Sequence, residues 1–179
     1  METKMETQTE SKFEYTPAFN RITLEKLIRV KPHETNDRDI TSILTQKLMG
    51  QMGDKCSKEG YIKKNSIQIL QRTIGKINTR FLDGSINYRI IYSAEVCNPR
   101  QGDILKVQFV EKNKAGILAE KQGTPLNIVL PKDIHADKTL YKQVDTENNT
   151  RDIVIQVLKT KSMQNTKILY VVGKLIGIP

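Results

Sequence analysis

Apolar and polar residues alternate most regularly on either side of a short break in the middle of the chain. Residues 86–96 are rich in β-branched and aromatic side chains, as a buried or half-buried strand requires. The break contains Pro99, Arg100 and Gly102, where proline removes a backbone donor and glycine tolerates a positive φ angle. Residues 104–110 then alternate with the period of two typical of a strand with one solvated face. The pattern predicts two strands joined at a short corner, with one small module on each side.

The first module is predicted to begin with a strand and a helix. Residues 22–30 form an apolar run that also fits a helix over residues 22–28, but Pro32 favours an extended predecessor, so we predict a strand. Capping residues at 35–37 and a glycine stop at Gly53 bracket the strongest helical pattern. Apolar residues recur there at the spacing of an amphipathic helix of about four turns: Ile40, Ile43, Leu44, Leu48, Met49 and Met52.

Short strands are predicted after this helix, over residues 56–62, 66–73 and 76–81. Asp83-Gly84 is a strong hairpin turn leading into residues 86–96. Residues 1–12 are polar and cannot bury an apolar face, which predicts a disordered tail. Residues 13–98 therefore predict an α+β domain with one main helix packed on an antiparallel sheet.

The second module, residues 99–179, is predicted to be nearly all β. Its strands are expected at residues 103–111, 115–121, 126–130, 153–160 and 167–176. A long gap between the third and fourth strands is the arrangement of a five-stranded OB-type barrel. Periodicity favours that barrel and leaves another small barrel open.

The chain is basic, with 29 Lys and Arg against 20 Asp and Glu and a formal net charge of +9. A positive excess spread over both halves favours a polyanionic partner, although solubility alone explains the same charge. Cys56 and Cys97 are isolated, and nothing else suggests the secreted environment in which they would pair. The first residues lack the apolar core of a signal peptide, and no apolar run approaches the ~20 residues of a membrane span. We therefore expect an intracellular protein without membrane association.

Signatures of catalysis, of metal binding and of cofactor binding are missing from the sequence. It contains no phosphate-binding glycine loop, no HExxH and no GxSxG, so we expect no enzyme, no cofactor and no metal site. His135 lies between Asp133 and Asp137, which would suit a general base. A surface turn explains the same residues, and we favour that interpretation.

Candidate RNA-binding residues lie in the second module, where a basic barrel would meet single-stranded nucleic acid. The β-hairpin tip at residues 112–114 carries two lysines, which ordinary solvation explains equally well. Tyr141, in the irregular segment after the third barrel strand, is the better candidate for stacking on a base, because Phe109 follows the parity of the core. The complete candidate set is Lys106, Lys112, Asn113, Lys114, Lys121, Tyr141, Lys159 and Lys161.

Several segments, in order, resemble the seventh-largest subunit of eukaryotic RNA polymerase II and its archaeal counterpart, a family of polymerase stalk subunits. They are Lys47-Leu48 at the helix end, CSKEGYI at residues 56–62, NYRIIY at 87–92, PRQGD at 99–103, IVLPKDI at 128–134 and VVGKLIG at 171–177. Their order and spacing carry the resemblance, which covers residues 13–179.

This resemblance implies a non-catalytic, two-domain stalk subunit of a DNA-dependent RNA polymerase. Its first domain, the tip, would dock on the largest polymerase subunits and pair with a smaller helical stalk partner, and its barrel would guide nascent single-stranded RNA. By position, the docking contacts would come from Gly53, Cys56, Gly60, Tyr61 and Ile62. The expected location is the site of transcription: the nucleus, or the host cytoplasm or virion if a large DNA virus encodes this polymerase, as the lysine-rich, AT-type composition suggests. The alternative is a free-standing RNA-binding OB protein, for example in translation.

Overall fold

The structure is a computed structural model that describes residues 14–35, 39–80, 83–135, 141, 144 and 152–178. Within these ranges lie helix α1 (Ile40–Met52), eleven strands, and short 3-10 turns at Pro32–Glu34, Lys64–Ser66 and Lys132–Ile134. The first six strands form an antiparallel sheet: β1 (Asn20–Val30), β2 (Lys55–Ser57), β3 (Gly60–Ile62), β4 (Gln68–Arg72), β5 (Lys76–Ile77) and β6 (Ile86–Cys97). The last five close into a barrel: β7 (Ile104–Lys112), β8 (Gly116–Glu120), β9 (Leu126–Pro131), β10 (Asp152–Ser162) and β11 (Leu169–Gly177). The α+β class and the five-stranded barrel are thus confirmed.

Strand β6 is the centre of the N-terminal sheet. On one side it pairs with the whole of β1, which confirms the predicted strand at residues 22–30. On its other side β3, β4 and β5 follow one another along the same edge. Helix α1 covers one face, where its buried Leu44 and Leu48 join Ile28, Ile90 and Tyr92 in an apolar cluster. The period-two pattern of β1 and β6 supplies that face, so amphipathic elements alone account for this half of the fold.

Backbone contacts set the two ends of α1. The helix begins after Asp39, which is the N-cap residue, so the cap predicted at residue 35 is wrong. Thr35 instead donates its hydroxyl to the carbonyl of Pro32 at 2.6 Å and closes the preceding turn. The other two predicted capping residues lie outside the described ranges. At the far end, the Gly53 N–H donates to a carbonyl of the last turn, and Lys55 donates its ammonium to the Gly50 carbonyl at 2.9 Å.

The barrel strands follow the order β7-β8-β9-β11-β10 and then return to β7. All neighbouring pairs are antiparallel except β9 and β11, which are parallel. This connectivity is consistent with an OB-type barrel. Alternate residues fill the interior, including Leu105, Val107, Ile128, Ile155 and Val171.

Backbone hydrogen bonds join the two halves of the protein, along a contact region that we call the seam. The Cys56 N–H donates to the Thr166 carbonyl at 2.7 Å, and the Asn165 N–H donates to the Cys56 carbonyl at 3.0 Å. Cys56 and Cys97, although they belong to the sheet strands, are buried in the apolar cluster of the barrel, with Tyr61 packed against it. The sheet and the barrel are therefore bonded directly as well as through the chain between them.

The predicted corner is fastened to strand β10. Gly102 has a φ angle of +96°, a conformation that favours glycine, and its N–H donates to the Val157 carbonyl at 2.8 Å. Thr160 donates its hydroxyl to the carbonyl of Pro99 at 2.7 Å. The Arg100 side chain is exposed. The direction in which the chain enters the barrel is thus fixed by hydrogen bonds on both sides of the corner.

Candidate nucleic-acid interface

Two of the predicted lysines on β10 share an outward-facing surface with residues of β11 and β9. Lys161 is the register partner of Tyr170, which is itself the partner of Asn127 on β9. Neighbouring strands are about 4.8 Å apart, so this row spans about 10 Å. Lys159 lies opposite Val172 in the next row. We call the surface formed by the following residues the basic face: Asn127, Lys159, Lys161, Tyr170, Val172 and Lys174.

Strand alternation places these side chains outside the barrel. In β11 the residues Leu169, Val171 and Leu175 are buried, so the intervening Tyr170 and Lys174 point outward. In β10 the pairing with β11 shifts register between Val157 and Lys159, after which Lys159 and Lys161 are both exposed. A β-bulge of this kind redirects the side chains that follow it. The exposure of the basic face therefore follows from strand alternation in β11 and from the β-bulge in β10.

The lysines of the basic face have no carboxylate within ion-pair distance in the described ranges. This holds for Lys159, Lys161 and Lys174, all of them exposed. Lys106, by contrast, lies 2.9 Å from Asp152, and this hydrogen bond raises the pKa of its ammonium group. Uncompensated ammonium groups attract phosphate more strongly than paired ones. Lys159 and Lys161 thus fit the predicted RNA-binding role better than Lys106 does.

Tyr170 supplies an aromatic ring beside these charges, and the sequence analysis did not single it out. Its side chain is 42% exposed, which leaves a ring face for a stacked base. Asn127 offers both a donor and an acceptor next to it. The signal was present in the sequence, because Tyr170 occupies the outward parity of a strand whose inward residues are aliphatic.

Half-buried Lys112 lies beside the buried Tyr141. The Lys112 ammonium donates to the carbonyls of Tyr141 and Val144, at 3.2 and 2.9 Å, and lies 5.3 Å from the centre of the Tyr141 ring. The Tyr141 ring is buried against His135, which leaves no face for a base. Tyr141 therefore offers no stacking platform, and the Lys112 ammonium is bound to the backbone carbonyls of residues 141 and 144.

The remaining predicted residues occupy other positions on the barrel. Asn113 accepts hydrogen bonds from two backbone N–H groups of its own hairpin, and Lys114 is exposed at the tip. Register places this hairpin at the end of the barrel opposite Lys161. Lys121 is half-buried close to Cys97, and burial lowers the pKa of its ammonium group. The eight predicted residues do not form one site.

An apolar groove runs beside the basic face, along β8 and β9. Its volume is about 320 Å³, and its lining includes Val110, Leu118, Pro125 and Ile168. OB barrels commonly bind oligonucleotides on the face of their second and third strands. In this protein those strands carry little positive charge, and the lysines lie on the adjoining β10 and β11. An RNA strand would therefore meet phosphate-binding groups on the neighbouring face.

His135 is buried, so the preferred interpretation of a surface turn is wrong for this residue. The Leu175 N–H donates to Nε2 at 2.8 Å, which means that Nε2 carries no proton. Nδ1 then bears the hydrogen and donates to the Pro131 carbonyl at 2.8 Å. Both ring nitrogens are committed to backbone partners, and the imidazole ties the turn after β9 to β11.

The predicted polymerase-docking residues lie at the end of α1 and along β2 and β3. Cys56 and Ile62 are buried, and Tyr61 donates its hydroxyl to Asp54 at 3.3 Å. Gly53 and Gly60 are buried as well, in close contact with neighbouring atoms. These residues pack the seam and the sheet core. Their role in binding an external partner is untested and stays a prediction.

Among the described residues, no group of three or more His, Cys, Asp or Glu side chains is placed to hold a metal ion. Over the same ranges, no helix has both the length and the apolar character needed to cross a membrane.

No family model matches the sequence, and no curated protein is significantly similar to it. The resemblance to polymerase stalk subunits therefore stays a prediction.

Proposed function

We propose that this protein is a non-catalytic stalk subunit of a DNA-dependent RNA polymerase that guides nascent single-stranded RNA along the basic face. The N-terminal sheet and helix serve as the tip that docks on the large polymerase subunits. RNA phosphates are bound by Lys159, Lys161 and Lys174, and a base stacks on Tyr170. Recognition is electrostatic and largely independent of sequence.

The observation that supports this proposal most strongly lies on one face of an OB-like barrel, where lysines with no ion-pair partner among the described residues stand beside an exposed aromatic ring. The seam adds to it, because a barrel bonded directly to its neighbouring sheet keeps one orientation relative to whatever that sheet binds. The polymerase assignment rests on the order of the resembling sequence segments.

Co-purification tests the polymerase part of the proposal. A tagged copy of the full chain, expressed in its native cell, is expected to bring down the two largest polymerase subunits at low ionic strength. A tagged OB protein of similar net charge is the matched control, since it measures purely electrostatic capture. Recovery of no polymerase, or equal recovery with the control, would refute the assignment.

The basic face also suits the alternative, a free-standing RNA-binding protein. A titration with single-stranded RNA at several salt concentrations separates the two functions. Three lysine–phosphate contacts predict a slope of about −2 in a plot of log affinity against log salt. Weak binding by the isolated chain favours the stalk subunit, which would meet RNA only at the polymerase. Tight binding without any partner favours the free-standing protein.

A further inference from the structure

The apolar groove beside the basic face has a polar edge formed by Glu120 and Asn127. These two residues are register partners on β8 and β9, and both are exposed on the outside of the barrel. Directly opposed side chains of an antiparallel pair lie about 5 Å apart on the same face. One row of outward side chains therefore continues from Lys161 and Tyr170 of the basic face through Asn127 to Glu120.

The rest of the groove presents apolar surface to solvent. Val110 and Ile168 are 52% and 44% exposed, and Leu118 and Pro125 line the groove with them. Its volume of about 320 Å³ matches the smaller ligand sites of proteins, which begin at about 300 Å³. A single flat ring system placed in the groove would cover these side chains and remove their surfaces from water.

The polar edge offers hydrogen-bonding groups in a fixed order. The Glu120 carboxylate has no ion-pair partner in the ranges that the structure describes. An ionised carboxylate only accepts hydrogen bonds, through two oxygens that lie side by side. Asn127, about 5 Å away, offers the N–H groups of its amide as donors. The edge therefore presents one donor followed by two acceptors.

Guanine is the RNA base whose pairing edge complements this order. Its O6 accepts a hydrogen bond, while N1–H and the N2 amino group donate two parallel hydrogen bonds that one carboxylate accepts together. Adenine and cytosine each present one amino donor beside an acceptor nitrogen, and uracil presents one N–H between two acceptors. An acceptor atom placed against the Glu120 carboxylate would be repelled.

We propose that the apolar groove binds a guanine base of the RNA strand, with Glu120 accepting from N1 and N2 and Asn127 donating to O6. This inference rests on the proposed function, because the lysines of the basic face bind the adjoining phosphates. It adds one base-selective position to recognition that is otherwise electrostatic, since contacts to base edges carry sequence information and contacts to phosphates do not.

The distribution of charge favours an RNA strand as the occupant of the groove. The lysines of the basic face lie on β10 and β11, whereas Glu120 is two strands away from Tyr170, at about 10 Å. Phosphates are attracted to the lysines and repelled by the carboxylate, so the bases turn towards β8. A basic, apolar segment of a protein would also suit the groove, but the lysines of the basic face would repel it.

Fluorescence anisotropy with the full chain at low ionic strength tests this base preference. The probes are labelled RNA nonamers that repeat UUG, UUA, UUC or UUI, where inosine (I) is the nucleoside of guanine without its N2 amino group. The UUG nonamer is expected to bind about tenfold more tightly than the UUA and UUC nonamers, with the UUI nonamer between them. Glu120→Gln is expected to reduce this ratio to less than about twofold, because the amide keeps only one acceptor oxygen.

Glu111→Gln is the matched control. It makes the same chemical change at an exposed residue of β7 that does not line the groove, so the preference for the UUG nonamer is expected to persist. Glu111 and Glu120 are both exposed, so both variants are expected to fold.

Each outcome of this experiment decides the matter. Loss of the preference in Glu120→Gln and its persistence in Glu111→Gln support the proposal. A preference that survives Glu120→Gln, equal loss in both variants, or equal binding of the UUG and UUI nonamers would overturn it. Equal binding of all four nonamers would also overturn it but leave RNA guiding intact, whereas failure of every nonamer to bind would refute both. If a labelled peptide of alternating Lys and Leu bound the chain and lost its affinity in Glu120→Gln, the groove would have to be assigned to a protein partner instead.

Discussion

Replacing Gly60 by alanine tests how tightly β3 is packed against the end of β6. Gly60 has a φ angle of +122°, which residues with a side chain rarely adopt. A Cβ atom built at this position would lie 2.5 Å from the carbonyl oxygen of Cys97 and 2.7 Å from the Cβ atom of Asn98. Alanine therefore meets two separate difficulties, an unfavourable backbone conformation and an overlap with backbone that cannot move freely.

The loss of stability follows from adding these two contributions. A residue held in such a backbone conformation costs about 1–3 kcal/mol, and overpacking a close contact costs about 1–3 kcal/mol more. We expect Gly60→Ala to lower the free energy of unfolding by about 4 kcal/mol. For a chain of this length that loss lowers the melting temperature by about 8–16 °C.

Two other glycines separate the contributions. Gly123 has a φ angle of +72° but nothing within 4 Å of a built Cβ atom, so Gly123→Ala is expected to cost only about 1 kcal/mol of backbone strain. Gly50 lies in α1 with equally open surroundings, so Gly50→Ala is expected to stabilise the protein by about 0.5–1 kcal/mol. Urea unfolding of the three variants gives the free energies directly. If Gly60→Ala and Gly123→Ala lose equal stability, the reasoning about the close contact with Cys97 is refuted.

Three further predictions concern the basic face and the seam. Tyr170→Ala is expected to weaken binding of single-stranded RNA by about 1–3 kcal/mol, as measured by filter binding, because it removes the stacking surface. Lys159→Ala and Lys161→Ala are each expected to reduce the salt dependence of log affinity by about 0.7, because each removes one phosphate contact. Burial raises the pKa of the Cys97 thiol to about 12 from an ordinary value of 9.0. The unfolded chain releases this proton at lower pH than the folded chain, so raising the pH from about 8 to about 10 is expected to remove about 1.4 kcal/mol of stability.

Each of these predictions has a matched control. Tyr170→Phe keeps the ring and is expected to bind RNA normally, so a loss equal to that of Tyr170→Ala would contradict stacking. Lys114 lies at the other end of the barrel. If Lys114→Ala changed the salt slope more than Lys159→Ala and Lys161→Ala do, the RNA site would have to be assigned to the β7–β8 hairpin tip. Cys97→Ala removes the thiol, and an unchanged pH dependence in this variant would contradict the role assigned to its proton.

Local pattern predicted the helix and the long strands of this fold because each of them buries residues along one face. Apolar patterns, strand-forming residues and Pro32 together predicted β1, β6, β7 and β11 to within a few residues. Local pattern could not predict the contacts of Lys112. Its ammonium donates to the carbonyls of residues 141 and 144, which are far from it in the sequence. His135 was misplaced for the same reason, because its partner on β11 is 40 positions away.

In the candidate site, too, local pattern predicted some features, and others depend on contacts between distant parts of the chain. Lys159 and Lys161 were recognised as charges on a strand, yet their exposure on one side depends on the register shift in β10. Tyr170 was not predicted, because Tyr141 was preferred for its position outside the regular strands, although the parity of β11 already indicates that Tyr170 points outward. For these two tyrosines, position in the alternation of a strand predicted exposure better than location outside the regular strands did.

The seam also determines how the protein folds. Cys56 donates its Sγ–H to the carbonyl of Ile168 at 3.6 Å, and these residues are 112 positions apart in the chain. Contacts of such long range form slowly, because the intervening chain must be ordered before they contribute any stability. Cys56 and Cys97 of the sheet are buried against the barrel residues, so we expect both to be exposed to water until the barrel has formed. The sheet and the barrel are thus expected to unfold in a single cooperative transition, and a chain cut between them would leave an apolar surface on each fragment.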